Sequence, residues 1–139
     1  MRAPSPEGCF VTTELCMLLW SVVLGLVQIA LAASCSFGQR GLDWIVSARD
    51  EVKPPLVGIG GRLDRARANF LETFPLFAAA VLAAHVLQQH DQLTVLGAQL
   101  YFWARVLYVP VYAAGIPYLR SLTWAVSVAG IVLLLVALA

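Results

Sequence analysis

The sequence predicts an all-α integral membrane protein, a single-domain bundle of four helices. Three observations carry that prediction. Of 139 residues, 60% are hydrophobic and only 12% are charged, about half the roughly 25% charge of an ordinary soluble domain. The apolar residues collect in runs close to the ~20 residues that a helix needs to cross a bilayer. Short polar or Gly/Pro-rich segments that break helices separate these runs. A net charge of +1 argues against a general nucleic-acid binder, whose affinity comes from neutralising phosphates. Cys9, Cys16 and Cys35 match no disulfide or metal framework, and His85 and His90 bring no ligand spacing, so no metal site is expected.

Residues 1–10 are polar and proline-rich and read as a disordered tail. An alternative is an upstream extension, with translation beginning at Val11; the intact mass of the native protein separates the two. Residues 11–139 form the membrane domain. The first span covers residues 14–34, with Gln28 as its polar interruption. It is too long for the apolar stretch of a signal peptide. Residues 36–61 hold Gly38, Gly41, Pro54, Pro55, Gly58, Gly60 and Gly61 among several charges. They read as a long aqueous loop, with a short interfacial turn anchored by Trp44. The second span covers residues 62–88 and contains Pro75, which removes one backbone bond and predicts a kink. Residues 88–92 form a polar turn, with Asp91 suited to cap the next helix. The third span covers residues 93–112 and the fourth residues 121–139, with Ser121 placed to cap the latter.

Basic residues orient the bundle. With four spans, the first and third loops share a side. With the span mouths, they hold Arg40, Arg49, Lys53, Arg62, Arg65, Arg67 and Arg120, against Arg2 alone on the other. Cytoplasmic loops carry the excess of Lys and Arg, so both termini are expected outside the cytoplasm.

The second span opens with RARANFLETFP, residues 65–75. Charges at membrane depth are costly and face a bundle interior or a wet cavity. Arg65, Asn69 and Glu72 lie at i, i+4 and i+7 on one helix face, and so do Arg105, Tyr108 and Tyr112 at i, i+3 and i+7. Both sets fall in the cytoplasmic third of their spans, where Arg120 and Ser121 open the fourth. One cytoplasm-facing pocket is expected. Guanidinium groups with a single carboxylate suit a small, carboxylate-rich anion. Glu72 would receive an amino group, and an arginine aimed at a thiol favours the thiolate. The same residues have plainer readings. Glu72 and Arg105 would serve equally as an ion pair locking two helices. Arg62 and Arg67 would snorkel to headgroups, and Tyr101, Trp103, Tyr118 and Trp124 would form an interfacial belt.

The second-span motif, followed by RVLYVPVY at residues 105–112 and then Arg120-Ser121, resembles the MAPEG family, the membrane-associated proteins of eicosanoid and glutathione metabolism. The chain looks most like the small bacterial members. The resemblance implies a homotrimer in a bacterial inner membrane, with glutathione as co-substrate held between subunits and a lipophilic substrate arriving from the membrane lipid. It implies glutathione contacts from Arg65, Asn69, Glu72, Arg105, Tyr108 and Tyr112, and a catalytic role for Arg120 with Ser121 beside it. The chain departs from eukaryotic members in having Ala68 before the asparagine and Tyr108 one turn after the third-span arginine. The expected activity is a glutathione-dependent transferase or peroxidase acting on lipophilic electrophiles. The alternative is a non-catalytic membrane protein whose pocket binds a lipid headgroup or metabolite or serves assembly.

Overall fold

A computed structural model describes residues 11–139; the expected tail at residues 1–10, with Arg2 and Cys9, lies outside the described residues. Four long helices and one short one follow in order. They are α1 (Thr13–Arg40), α2 (Leu42–Val46), α3 (Gly58–Val86), α4 (Gln92–Ala114) and α5 (Pro117–Leu138). The short α2 sits where the sequence suggested an interfacial turn. Arg40 and Arg49 lie against its Trp44 ring, at 4.6 and 5.4 Å.

Each boundary has a local cause. The Thr12 side chain accepts from the Leu15 backbone N–H to start α1. The helix runs past the expected residue 34 to Arg40, because Gly38 alone does not break it and Gly41, at φ +81°, does. A reciprocal capping box between Asp91 and Thr94 starts α4. Gly115, left-handed at φ +80°, ends α4, and Pro117 stands at the first turn of α5. The fourth long helix therefore begins four residues before the expected 121, and Ser121 is not its cap. Its hydroxyl donates instead to the Pro117 carbonyl at 3.2 Å. α3 continues through Pro75.

Helices α1, α3 and α5 are long and apolar enough to cross a membrane. The 22 residues of α5 extend about 33 Å, matching a hydrocarbon core of about 30 Å. α4 is as long, at 23 residues, but Gln92, Gln99 and Arg105 make it less apolar. It packs against α1, α3 and α5, which shelter Arg105 and Thr94, while Gln92 and Gln99 stay exposed. Burial runs opposite to a soluble protein. On α1 the buried positions are Glu14, Leu18, Ser21, Gly25, Gln28 and Ala32, while Leu19, Trp20, Val23, Leu26 and Val27 face outward. Such a pattern suits lipid as the solvent, so this is an integral membrane protein.

α4 and α5 form the most extensive pair. A Cβ built on Gly97 would lie 2.7 Å from the Gly130 carbonyl oxygen, and one on Gly130 would lie 2.6 Å from that of Gly97. Only glycine lets the two backbones approach so closely. The core beside this crossing holds Phe77, Val81, Ala98, Tyr101, Ile131 and Leu134. Tyr101, expected in the belt, is instead fully buried, its ring stacked on Phe77 at 3.9 Å. Trp103 and Tyr118 do face outward. At the end opposite the 41–57 connection, buried Glu14 accepts from the Thr94 hydroxyl at 2.6 Å and meets His90 Nδ1 at 3.3 Å, joining α1 to α4.

Candidate functional site

A cleft of about 650 Å³ opens between α3, α4 and α5 at the end that carries the 41–57 connection. Its walls include Arg65, Asn69 and Glu72 from α3, Tyr108 and Tyr112 from α4, and Arg120 and Ser121 from α5. The helical period sets this. Arg65, Asn69 and Glu72 share one face of α3, and the turn at Gly115 brings the first turns of α5 beside the last turns of α4. Of the eight site residues expected from the sequence, these seven share the cleft.

Arg105 is the exception. It is 1% exposed and points behind the cleft wall rather than into it. Its Nη1 donates to Asn69 Oδ1 at 2.7 Å and its Nη2 to Thr73 Oγ1 at 2.7 Å. The guanidinium lies near the rings of Tyr108, at 5.1 Å, and Tyr101, at 5.6 Å. The ion pair with Glu72 suggested by equal depth is not formed among the described residues. The rotation of α4 aims Arg105 instead at the neighbouring face of α3, at Asn69 and Thr73, and leaves Glu72 exposed at the cleft. Arg105 thus buttresses Asn69 from behind, holding its amide in one orientation.

Thr73 was silent in the sequence. Its hydroxyl accepts from Arg105 and lies 3.2 Å from the Tyr101 hydroxyl and 3.2 Å from the Phe70 carbonyl. It joins the arginine to the core. The available signal was its spacing, one turn beyond Asn69 on the same face. Trp124, expected in the belt, lines the cleft with Ala125, and Ala68 lines it from α3. Trp124 lies one turn after Arg120, and that spacing would have placed it.

The cleft's charges are uncompensated. Among the described residues, Arg65, Glu72 and Arg120 form no ion pair. Arg120 instead lies over the Tyr112 ring at 4.9 Å, and Tyr112 packs edge-on to Tyr108 at 5.3 Å. This row of π-faces fixes the guanidinium at the mouth. Arg67, by contrast, is spent on Asp64, with its Nη2 2.7 Å from Oδ1. The chemical offer is two cations, of which Arg120 is steadied on Tyr112, and one carboxylate around a partly polar cleft that opens within a membrane domain. That set matches a small zwitterion bearing more than one carboxylate. No grouping of His, Cys, Asp and Glu among the described residues is suited to a metal ion.

The family model described as MAPEG family matches residues 17–139, which takes in all four long helices except the first turn of α1. No curated protein matches the chain.

Proposed function

The chain belongs to the MAPEG family, and on that premise we propose that it is a glutathione-dependent transferase or peroxidase acting on lipophilic electrophiles from the bilayer. The observation that carries this reading is the set of uncompensated charges, Arg65, Glu72 and Arg120, around one cleft. Glutathione has two carboxylates, one amine and a thiol. Arg65 and the Asn69 amide hold carboxylate, and Glu72 takes the amine. A cleft of about 650 Å³ lies within the usual ligand range of roughly 300–1,000 Å³. Arg120, steadied on Tyr112, faces the thiol and favours its thiolate, the nucleophilic form; an unperturbed cysteine thiol has a pKa of about 8.5. Tyr112 stands beside it as a hydrogen-bond donor, and Ser121 would become one by turning its hydroxyl away from the Pro117 carbonyl. The thiolate attacks the electrophilic atom of an acceptor that enters from the lipid side. With a halonitroarene the C–S bond forms as halide leaves. With a hydroperoxide the O–O bond breaks to release the alcohol and a sulfenic acid, which a second glutathione converts to disulfide and water. Arg105 and Thr73 act through Asn69, as positioning residues.

In the same reading the protein is a homotrimer in a bacterial inner membrane. The cleft faces the cytoplasm, both termini lie outside it, and a neighbouring subunit completes the site. Turnover of a chloronitrobenzene and of a lipid hydroperoxide tests the activity. Arg120→Ala should lower turnover by roughly 10²-fold, the scale of removing one charge-stabilising donor, with a much smaller change in glutathione binding. Equal turnover in the variant would remove Arg120 from the chemistry.

The alternative is a non-catalytic membrane protein whose cleft binds a headgroup or metabolite or serves assembly. The observation in its favour is that the Ser121 hydroxyl donates to its own helix at Pro117. Turnover that is absent while glutathione still binds would select it.

A further inference from the structure

The end of the bundle opposite the cleft holds a carboxylate with no permanent counter-charge. Glu14, in the first turn of α1, is 1% exposed. Its Oε1 accepts from the Thr94 hydroxyl at 2.6 Å and meets His90 Nδ1 at 3.3 Å, while Oε2 is buried without a partner among the described residues. A carboxylate buried to this degree is costly unless it is paired. Among the described residues no lysine or arginine pairs with it. The nearest on α4 is Arg105, eleven residues beyond Thr94 and about 16 Å along the helix. On α1 it is Arg40, at the far end, and on α3 it is Arg67, eighteen residues before His85. α5 carries no titratable side chain after Arg120. The groups that face the carboxylate are imidazoles. His90 stands in the turn between α3 and α4, its side chain 27% exposed. His85, in the last turn of α3, lies 5.8 Å from it ring to ring, and its Nδ1 is buried without a partner among the described residues. Asp91 is exposed and is engaged as the cap of α4, accepting from the Thr94 N–H at 2.8 Å. Cys16 lies about 200° round α1 from Glu14.

We propose that Glu14, His90 and Thr94 form a proton-operated latch between α1 and α4, closed when His90 carries a proton. Histidine is the side chain that ordinarily changes charge between about pH 5 and 8. Above that range the buried carboxylate keeps its hydrogen bonds but has no counter-charge. Within it, a proton on His90 turns the 3.3 Å contact into an ion pair. The folded state then holds protons that the unfolded chain has released, so stability rises as pH falls. His85 sets the lower limit. One carboxylate serves two imidazoles, and a second proton, on His85, places like charges on rings 5.8 Å apart. The latch is therefore tightest in mild acid. In the orientation proposed above, this end lies outside the cytoplasm, so external pH operates it.

The test melts the full chain in detergent across the histidine range. The wild-type melting temperature should rise by roughly 3–5 °C from about pH 8 to about pH 6, the scale of a tenfold change in the folding equilibrium for a chain of this size. His90→Gln keeps a donor beside Glu14 but takes up no proton, so the rise should be lost. Glu14→Gln should lose it as well, because no charge then rewards the proton. His85→Gln should keep the rise and extend it to lower pH, because the competing imidazolium is gone. Hydrogen exchange of the wild type, corrected for the intrinsic rate at each pH, needs no variant. Protection in the first two turns of α1 and of α4 should grow over the same range, while residues 62–72 of α3 hold constant. A rise that survives in His90→Gln, or one that disappears in His85→Gln alone, would overturn the assignment of the proton to His90. Protection that changes uniformly along the chain would overturn the latch itself.

Discussion

Arg105 reaches from α4 to α3 and donates from Nη1 to Asn69 Oδ1 at 2.7 Å, with the whole guanidinium buried behind the cleft that Asn69 lines. The amide of Asn69 is therefore oriented from the protein side, which leaves its other edge for whatever enters the cleft.

This pairing predicts coupled effects on binding. Arg105→Gln and Asn69→Ala should each weaken glutathione binding, and the double variant should be no weaker than the worse single one, because residues in one network are not additive. Dissociation constants for the four proteins check it. Full additivity would make Arg105 an independent contact.

Thr73 supports a stability prediction. Hydrogen bonds between membrane helices average only about 0.6 kcal/mol, but a bond to a buried charge is worth about 1.5–3 kcal/mol. The Thr73–Arg105 bond is of the second kind. Thr73→Val should therefore cost about 1.5–3 kcal/mol, and Thr73→Ser should recover most of it. Denaturant titration in detergent measures both.

The glycine pair at the α4–α5 crossing gives a contrasting prediction. Gly130→Ala places a methyl against backbone atoms at 2.6–2.8 Å, and overpacking of that kind costs about 1–3 kcal/mol. Gly38→Ala meets nothing within 4 Å and should stabilise α1 by about 0.5–1 kcal/mol. Opposite shifts in melting temperature are expected.

The stack of Arg120 on Tyr112 separates ring from hydroxyl. Tyr112→Phe keeps the π-face under the guanidinium and should hold Arg120 in place. Tyr112→Ala removes a cation–π contact of about 0.5–2 kcal/mol, so turnover should fall about 2- to 30-fold further than in the Phe variant. Equal rates in the two variants would assign the effect to the hydroxyl.

Much of the cleft was legible because membranes make polar residues conspicuous. Arg65, Asn69 and Glu72 stand out in an apolar span, and a period of 3.6 places them on one face. The same period put Tyr108 and Tyr112 on one face of α4 and the Gly115 turn brought Arg120 alongside. What the sequence hid was rotation. Periodicity fixes which residues share a face but not which way the face turns, so Arg105 was expected in the cleft or paired with Glu72 and was found behind it, at Asn69 and Thr73. Thr73 was hidden for a different reason: a threonine inside a span usually bonds its own helix, and only the partner reveals another role. Tyr101 has the composition of a belt residue, and only the tertiary packing shows it stacked on Phe77. The start of α5 was missed because the fourth span was set at residue 121, although Pro117 suits the first turn of a helix.

The melting temperature of the purified protein against a glutathione titration, with Arg65→Ala as control, tests the proposed glutathione site most directly. Ligand at about 100 times its dissociation constant stabilises by about 2.7 kcal/mol, enough to raise the midpoint by several degrees in a chain of this size. A saturable rise in the wild type that is lost in Arg65→Ala is the predicted result. No shift up to millimolar glutathione would contradict it and leave the cleft to a headgroup, a metabolite or assembly.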